Sequence, residues 1–433
     1  MPLTVIVVGA GITGLTAALA LHSKGFHVTV LERNHGIPEI GGPISIRPAA
    51  MRCLRSLGLS KTLDENHEPA ISTWHTKRYD TGETLYEVDW TDPSSNVFGD
   101  ESVGFARQAL QKVLFEETVK RKIEVKFSTK IVGVVDDEAP VVTLEGGEVV
   151  KADLVVGADG INSIIRESML PPDPQRINSI QSCWMLKIPL SIVKNDPEIS
   201  KYLTRAYYWL GPGRMAIATI LSRVDVFDLH LYIDKELCEP SESEKVGNMD
   251  DILKHFQDFD PVIFKIKSLA PSTECYIWRI SKLARLPTWI SKSGRIVIIG
   301  DAAHAMVPNV AQGASQGIED AVVLAECLSR ADNDANGQLG KVLQVFERVR
   351  KPRVEAIADY ASANHKIHHA SDGPVQQARD KRLRAWKENA LKAQKWNGVQ
   401  ILEPPAVGSP LVEPYMFGYD ALAHVSSERV VQG

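Results

Sequence analysis

The sequence predicts an α/β protein, a Rossmann-type parallel sheet with an inserted antiparallel sheet and C-terminal helices. Three observations carry this. The chain opens on an apolar run, a glycine turn and a helix pattern. Two later apolar runs, 154–156 and 295–299, also end beside an acid. Between them lie stretches that alternate apolar and polar residues, as half-exposed antiparallel strands do. The opening is the most specific part. Residues 3–8 are β-branched and apolar, and run into Gly9-Ala10-Gly11-Ile12-Thr13-Gly14. Leu15, Ala18 and Leu19 then read as a helix packed on a sheet. Gly25 closes that helix, and residues 28–31 make a second strand ending at Glu32-Arg33. Each part has a task in holding a dinucleotide. Gly9 permits the tight turn, Gly11 lets a pyrophosphate approach, and Gly14 lets helix and strand touch. The helix N-terminus offers free N–H groups, and Glu32 can accept both hydroxyls of an adenosine ribose. This stretch alone leaves open which dinucleotide is bound.

A chain of 433 residues has room for two domains with large cores. Its 44% hydrophobic and 24% charged residues are those of a soluble globular protein. A net charge of -5 gives no reason to expect nucleic acid or an anionic membrane as partner. The five cysteines are odd in number and form no CxxC. They suit reduced thiols in a reducing compartment, so a cytoplasmic location is expected. The first helix is expected to be amphipathic and lacks a basic leader, which argues against a signal peptide. No run approaches the ~18 apolar residues of a membrane span. Residues 429–433 carry no lipidation or peroxisomal signal.

In chain order, a glycine-bearing loop over 36–43 precedes a helix over 49–57 that Gly58 ends. Strands at 72–75 and 84–88 flank the turn Asp80-Thr81-Gly82. Residues 105–120 read as helix, and 125–127 and 130–135 as strands. Residues 141–144 and 148–150 form a hairpin about Gly146-Gly147. The strand 154–156 ends in Gly157-Ala158-Asp159-Gly160. Pro171-Pro172-Asp173-Pro174 marks a domain boundary. Strands follow at 183–188, 205–209, 215–221 and 226–232, with the turn Gly211-Pro212-Gly213, and a helix at 249–256. Long helices run over about 317–330 and 341–364, and the tail is poorly periodic past Gln400. The domains expected are a cofactor domain of 1–72, 101–173 and 284–350, a substrate domain of 73–100 and 174–283, and C-terminal helices and tail over 351–433.

Both later acid motifs sit at strand ends, where open α/β sheets bind ligands. They are Gly157-Ala158-Asp159-Gly160, with Ser163 and Arg166, and Gly300-Asp301-Ala302-Ala303-His304, followed by Pro308 and Gln312-Gly313-Ala314. Together with Gly9-x-Gly11-x-x-Gly14, Arg107-x-x-Leu110 and Met416-Phe417-Gly418-Tyr419-Asp420-Ala421, these motifs give a clear likeness. The chain resembles the class A FAD-dependent monooxygenases, in the salicylate-hydroxylase-like branch of fungal aromatic and secondary-metabolite hydroxylases, over about residues 3–421. The resemblance implies an aromatic-hydroxylase-like fold, non-covalent FAD, and NADPH or NADH as transient co-substrate. It also implies O2 activation through a flavin 4a-hydroperoxide that hydroxylates or epoxidises an electron-rich aromatic or polycyclic small molecule. By motif, Glu32, with Arg33 beside it, belongs to the adenosine ribose and Arg107 to the ribityl–pyrophosphate stretch. Asp301 belongs to the ribityl chain and Gly313-Ala314 to the isoalloxazine. Asp159 serves the cofactor or braces the first glycine loop. Ser45 lies near the flavin, and Arg47 is either beside it or a surface arginine before a proline.

Departures bear on the substrate. Where salicylate-type relatives follow Gly-Pro-Gly-Arg with His and then Tyr-Pro, this chain has Gly211-Pro212-Gly213-Arg214-Met215 and Thr219-Ile220, which argues against a salicylate pocket. Asp228, His230 and Tyr232 share one face of a strand, which meets either the flavin or solvent. If it meets the flavin, His230 or Tyr232 handles a proton. Arg214 either pairs with an anionic substrate or is a plain turn arginine. Tyr207, Tyr208 and Trp209 line the pocket or the core, and His304 is read as structural. His365, His368 and His369 are assigned to a solvated helix face rather than a metal site, because no acidic ligand stands nearby in sequence. Two rivals remain open, a flavin oxidase or reductase without oxygen insertion and a non-catalytic flavin-binding protein. The Trp-x-Trp-x-Ile-Pro signature of flavin halogenases is absent. Substrate identity, the choice of nicotinamide and the oligomeric state are left open.

Overall fold

A computed structural model describes residues 3–37, 41–68, 73–89, 98–170, 176–240, 245–330, 338–390 and 400–428. The proline run at 171–174 and the terminal residues 429–433 lie outside them. The apolar opening strand, Thr4–Val8, is the centre of a five-stranded sheet. The order is Ile296–Ile298, Leu154–Gly157, Thr4–Val8, His27–Leu31, Glu124–Lys126, and every pairing is parallel. Parallel strands covered on both faces read as continuous apolar runs, as these do.

Helix Ile12–Ser23 corrects the expectation of an amphipathic element. It is buried from Gly14 through Leu21, because helix Gly313–Ser329 covers the side away from the sheet. The helix expected from Phe105 begins at Arg107. Residues Val103–Ala106 are instead a strand that pairs antiparallel with Pro43–Ile46. Past Ala370 the chain is more regular than expected, with helices Pro374–Ala390, Val412–Phe417 and Ala421–Ser427.

The second large sheet has eight strands in the order Val246–Asn248, Glu274–Leu283, Arg176–Pro189, Val226–Asp234, Arg214–Leu221, Ala206–Gly211, Thr73–Arg78, Thr84–Asp89. The early hairpin about Asp80-Thr81-Gly82 therefore joins the later strands. Its Thr73–Arg78 strand pairs parallel with Ala206–Gly211. Alternation gives this sheet two unlike faces. Trp184, Trp209, Ala216, Leu229 and Leu231 pack with Met249, Phe256 and Ile263 from the helices on one side. Cys183, Leu210, Met215 and Tyr232 pack with Val307, Val310, Met416 and Phe417 on the other. That second face is the one turned to the parallel-sheet half. Among the described residues, no helix is long and apolar enough to cross a membrane.

Candidate active site

The glycine loop is shaped by contact with its own neighbours. Gly9 has φ +102°, and a Cβ there would lie 2.6 Å from the Ala158 carbonyl oxygen. A Cβ on Gly14 would collide with the Gly9 carbonyl. At Gly11, by contrast, a Cβ would meet nothing within 4 Å. Two glycines thus close the loop onto the second motif, while the third leaves an open cradle. The helix starting at Ile12 has no side-chain cap, so its first N–H groups are offered to the cradle. Glu32, buried at the end of its strand, accepts from Ala10 N at 2.7 Å and Asn34 N at 2.8 Å. Its carboxylate braces the loop and keeps further lone pairs for hydroxyl donors. Arg33 beside it is exposed.

Gln111, which the sequence reading missed, donates to the Ala10 carbonyl at 2.7 Å. It stands one turn after Arg107, so the Arg107 face of that helix runs along the glycine loop. Arg107 is exposed, with its guanidinium carbon 5.8 Å from the Trp278 ring centre. Asp159 is tied to the chain that follows it. It accepts from Ser163 Oγ at 2.5 Å and from Ile164 N at 2.8 Å, capping the short helix Ile164–Met169. Its backbone also closes on the glycine loop: a Cβ on Gly9 would lie 3.2 Å from the Asp159 Cα, beside the Ala158 carbonyl. Asp301 is exposed at the end of Ile296–Ile298. A Cβ on Gly313 would meet nothing within 4 Å, the helix it opens with Ala314 has no side-chain cap, and Gln312 Nε2 and both amide atoms of Asn309 are buried without partners. Two open cradles at uncapped helix ends, with orphaned amides beside one of them, fit a dinucleotide carrying a polar ring system.

The two sheets meet across the loop Gly41-Gly42. Gly42 O accepts from Arg107 N at 3.0 Å, and Gly41 O from Lys187 Nζ at 3.3 Å. A Cβ on Gly42 would sit 3.0 Å from His230 Cε1. The polar strand face is therefore turned inward, not to solvent, and Asp228, His230 and Tyr232 are all buried. His230 Nε2 lies 3.1 Å from Asp228 Oδ1, and His230 Nδ1 lies 3.4 Å from Tyr232 Oη. Burial alone would lower the imidazole pKa, but Asp228 and Cys183 push it up to about 10. Burial, then Cys183, raises the Tyr232 phenol well above its usual range.

Arg214 is not part of this group. It stands on the same sheet face as Ala216 and Ala218, opposite Tyr232. Its guanidinium binds Asp258 through two bonds of 2.7 and 2.8 Å, caps His255 O and covers the Phe259 ring. Its assignment to substrate is corrected to a turn role. Tyr207 and Trp209 belong to the helix-side core, and Tyr208 to the inward face.

Arg47 is 3% exposed rather than on the surface. Its guanidinium carbon stands 4.5 Å from the Trp74 ring centre and 5.4 Å from that of Phe417. Burial lowers it to about 10, against the pull of Tyr208, Glu413 and Tyr86. Its backbone N–H donates to Ser315 Oγ at 3.1 Å, and Ser45 is half-buried two residues before it. Burial pushes the Glu413 carboxyl up to about 7, with Arg47 opposing. The sequence reading missed Glu413 and Trp74. Glu413 lies just ahead of the noticed Met416–Ala421 motif, but nothing local ties it to Arg47.

His304 is structural, as expected. It meets Asp320 Oδ2 at 2.5 Å, and Asp320 also accepts from Gly300 N at 3.0 Å and Arg350 Nε at 2.8 Å. Arg350 and Arg353 share Glu319, and Arg353 holds the Tyr415 and Met416 carbonyls. This buried network, missed in the sequence, fixes the C-terminal helices onto the parallel-sheet half. The histidines on the long helix Gln338–His368 also need correction. His369 is buried, and both it and His365 face the carboxylate of Asp234.

Comparison with known proteins agrees with this geometry. The FAD binding domain family matches residues 2–361. The FAD-dependent monooxygenase OpS4 of Beauveria bassiana is 26% identical over 98% of this chain and 97% of its own length. The FAD-dependent monooxygenase nanF of Aspergillus nanangensis is 30% identical over 87% of this chain and 83% of its own. A salicylate hydroxylase substrate complex superposes with a TM-score of 0.77, at 18% identity, over 98% of this chain and 97% of that one. The chain belongs to the FAD-binding family that these fungal FAD-dependent monooxygenases represent.

Proposed function

We propose that this flavoprotein oxidoreductase uses NAD(P)H and O2 to hydroxylate or epoxidise an electron-rich aromatic or polycyclic small molecule, in secondary metabolism. The observation that carries the reading is the buried Asp228–His230–Tyr232 face pressed against the Gly42 loop. The polar row lies buried at the seam between the two halves, and neither Asp228 oxygen makes an aligned hydrogen bond, which leaves binding capacity for a ligand.

When bound, FAD supplies the redox chemistry, accepting reducing equivalents from a nicotinamide and activating dioxygen. The chain's own residues bind, orient and exclude water. Glu32 and the uncapped helix at Gly11 would hold the adenosine and pyrophosphate part, with Arg33 at its edge. Arg107 and Asp301 would hold the middle. The helix opening at Gly313-Ala314 would offer its uncapped, positive end to the isoalloxazine. At the substrate, Asp228 keeps His230 protonated, and His230 Nδ1–H faces Tyr232 Oη. Tyr232 is then free to donate to a phenolate or enolate oxygen, so it sets the proton at the reacting ring. Arg47, with Glu413 beside it, complements an anionic oxygen. Leu210, Met215, Phe98 and Phe417 keep water out.

The test is a screen of aromatics and alkaloids with the purified holoprotein under isotopically labelled O2. Substrate-stimulated NAD(P)H oxidation and a product gaining one labelled oxygen atom support the reading. Product without label makes the protein an oxidase or reductase. FAD retained with no stimulated NAD(P)H use makes it a binding protein.

A further inference from the structure

We propose that Asp234, His365 and His369 form a site for a divalent transition-metal ion of the zinc class, which clips the long C-terminal helix to the substrate-side sheet. His365 and His369 are one turn apart, and His369 N donates to His365 O at 3.0 Å. Asp234 ends the strand Val226–Asp234, which also carries Asp228, His230 and Tyr232. Asp234 Oδ1 stands 2.8 Å from His369 Nδ1 and 3.4 Å from His365 Nε2. One donor atom from each residue lies within 4.8 Å of the other two. Metal–ligand bonds of about 2.0–2.1 Å in a tetrahedron put neighbouring ligand atoms about 3.3 Å apart, between the two closest separations seen here.

The contact is not an ordinary imidazole–carboxylate hydrogen bond. Neither Asp234 Oδ1 nor His369 Nδ1 has an aligned partner, and His369 Nε2 has none either, although His369 is 7% exposed. One carboxylate oxygen therefore faces two imidazole nitrogens without an aligned bond to the nearer one, which is an arrangement a shared cation would organise. Two imidazoles and a carboxylate suit zinc and its first-row neighbours and leave a position for water. The ligands are also held in place by backbone bonds. Gly213 N donates to His369 O at 2.9 Å, and Asp234 N donates to Gly213 O at 2.9 Å. The Gly-Pro-Gly turn, noticed in the sequence for another reason, thus ties helix to strand at this point.

The test uses the full-length, FAD-loaded protein, stripped with a chelator and titrated with Zn²⁺. Metal content is read after desalting, and Tm is measured alongside. One zinc ion per chain, with a Tm rise of a few degrees, is expected for the wild type and for His368→Gln. His369→Gln and His365→Gln lose both, and Asp234→Asn binds at least tenfold more weakly. Retained flavin absorbance shows that each variant is folded. If His369→Gln does not fold, His365→Gln and Asp234→Asn decide. A wild type that retains no zinc, or zinc binding unchanged in these variants, overturns the assignment.

Discussion

The buried pairs His304–Asp320 and His230–Asp228 are built differently. His304–Asp320 is saturated on the acid side. One Asp320 oxygen takes Arg350, and the other takes Gly300 N and His304. His230–Asp228 is not. Neither Asp228 oxygen has an aligned hydrogen bond, and the imidazole continues to a tyrosine hydroxyl on the face turned to the other sheet. A saturated pair at the back of a strand end holds elements together. An under-satisfied pair at a seam has binding capacity left over for a ligand. What separates them is the remaining partners, not the residue types.

The largest expected effect tests the saturated side. Asp320→Asn leaves Arg350 and His304 without their shared anion and should cost about 3–5 kcal/mol in urea unfolding. An unchanged midpoint would break the structural reading of that pair. Burial pushes the Asp320 carboxyl up, but His304 and Arg350 hold it at about 2. Its stabilisation is therefore present above the ordinary aspartate range and is lost as pH falls through about 2. Next, on the proposed Asp301 contact with the ribityl chain, Asp301→Ala should cost roughly 1.5–3 kcal/mol of flavin affinity, read by fluorescence on dissociation. Unchanged retention would move that role to another residue.

The unsaturated pair predicts a gentler signature. With the His230 pKa raised to about 10 in the fold, its contribution is complete below the ordinary histidine value near 6.5 and is lost as pH rises through about 10. Unfolding free energy should fall across that window by at most about 1.4 kcal/mol per pH unit, and Asp228→Asn should flatten the slope. A wild-type curve already flat there would mean that the imidazole is not held charged. The smallest effect belongs to Arg214→Ala. Its pair with the half-exposed Asp258 should be worth about 1 kcal/mol of stability, and turnover should stay within about twofold. A large loss of turnover would return Arg214 to the substrate.

The cofactor half was legible because its contacts are short in sequence or forced by glycine. Gly9, Gly11 and Gly14 announce a close turn within six residues, and Glu32 follows at the end of the next strand. The substrate half was half legible. Alternation placed Asp228, His230 and Tyr232 on one face, but no local signal told which way it faced, since that depends on Gly42 arriving from another part of the chain. Arg214 pairs with Ile233 and so lies on the opposite face from Tyr232, a register that alternation within either strand does not reveal. The motif around the Gly-Pro-Gly turn pulled it toward the site instead. Glu413 beside Arg47, Asp234 beside two histidines, and the Asp320–Arg350 network all join segments far apart in sequence, where composition and periodicity carry no trace of the pairing. Burial of helix Ile12–Ser23 on both sides also depends on a distant element, Gly313–Ser329.

Whether the inward sheet face meets the substrate is measured most directly by Tyr232→Phe. It removes one hydroxyl and leaves the ring's packing in place. With FAD content and Tm held near wild type, substrate-stimulated formation of oxygenated product should fall about 100-fold. Product formation unchanged in a flavin-loaded, folded Tyr232→Phe protein would contradict the claim that this face handles the substrate's proton.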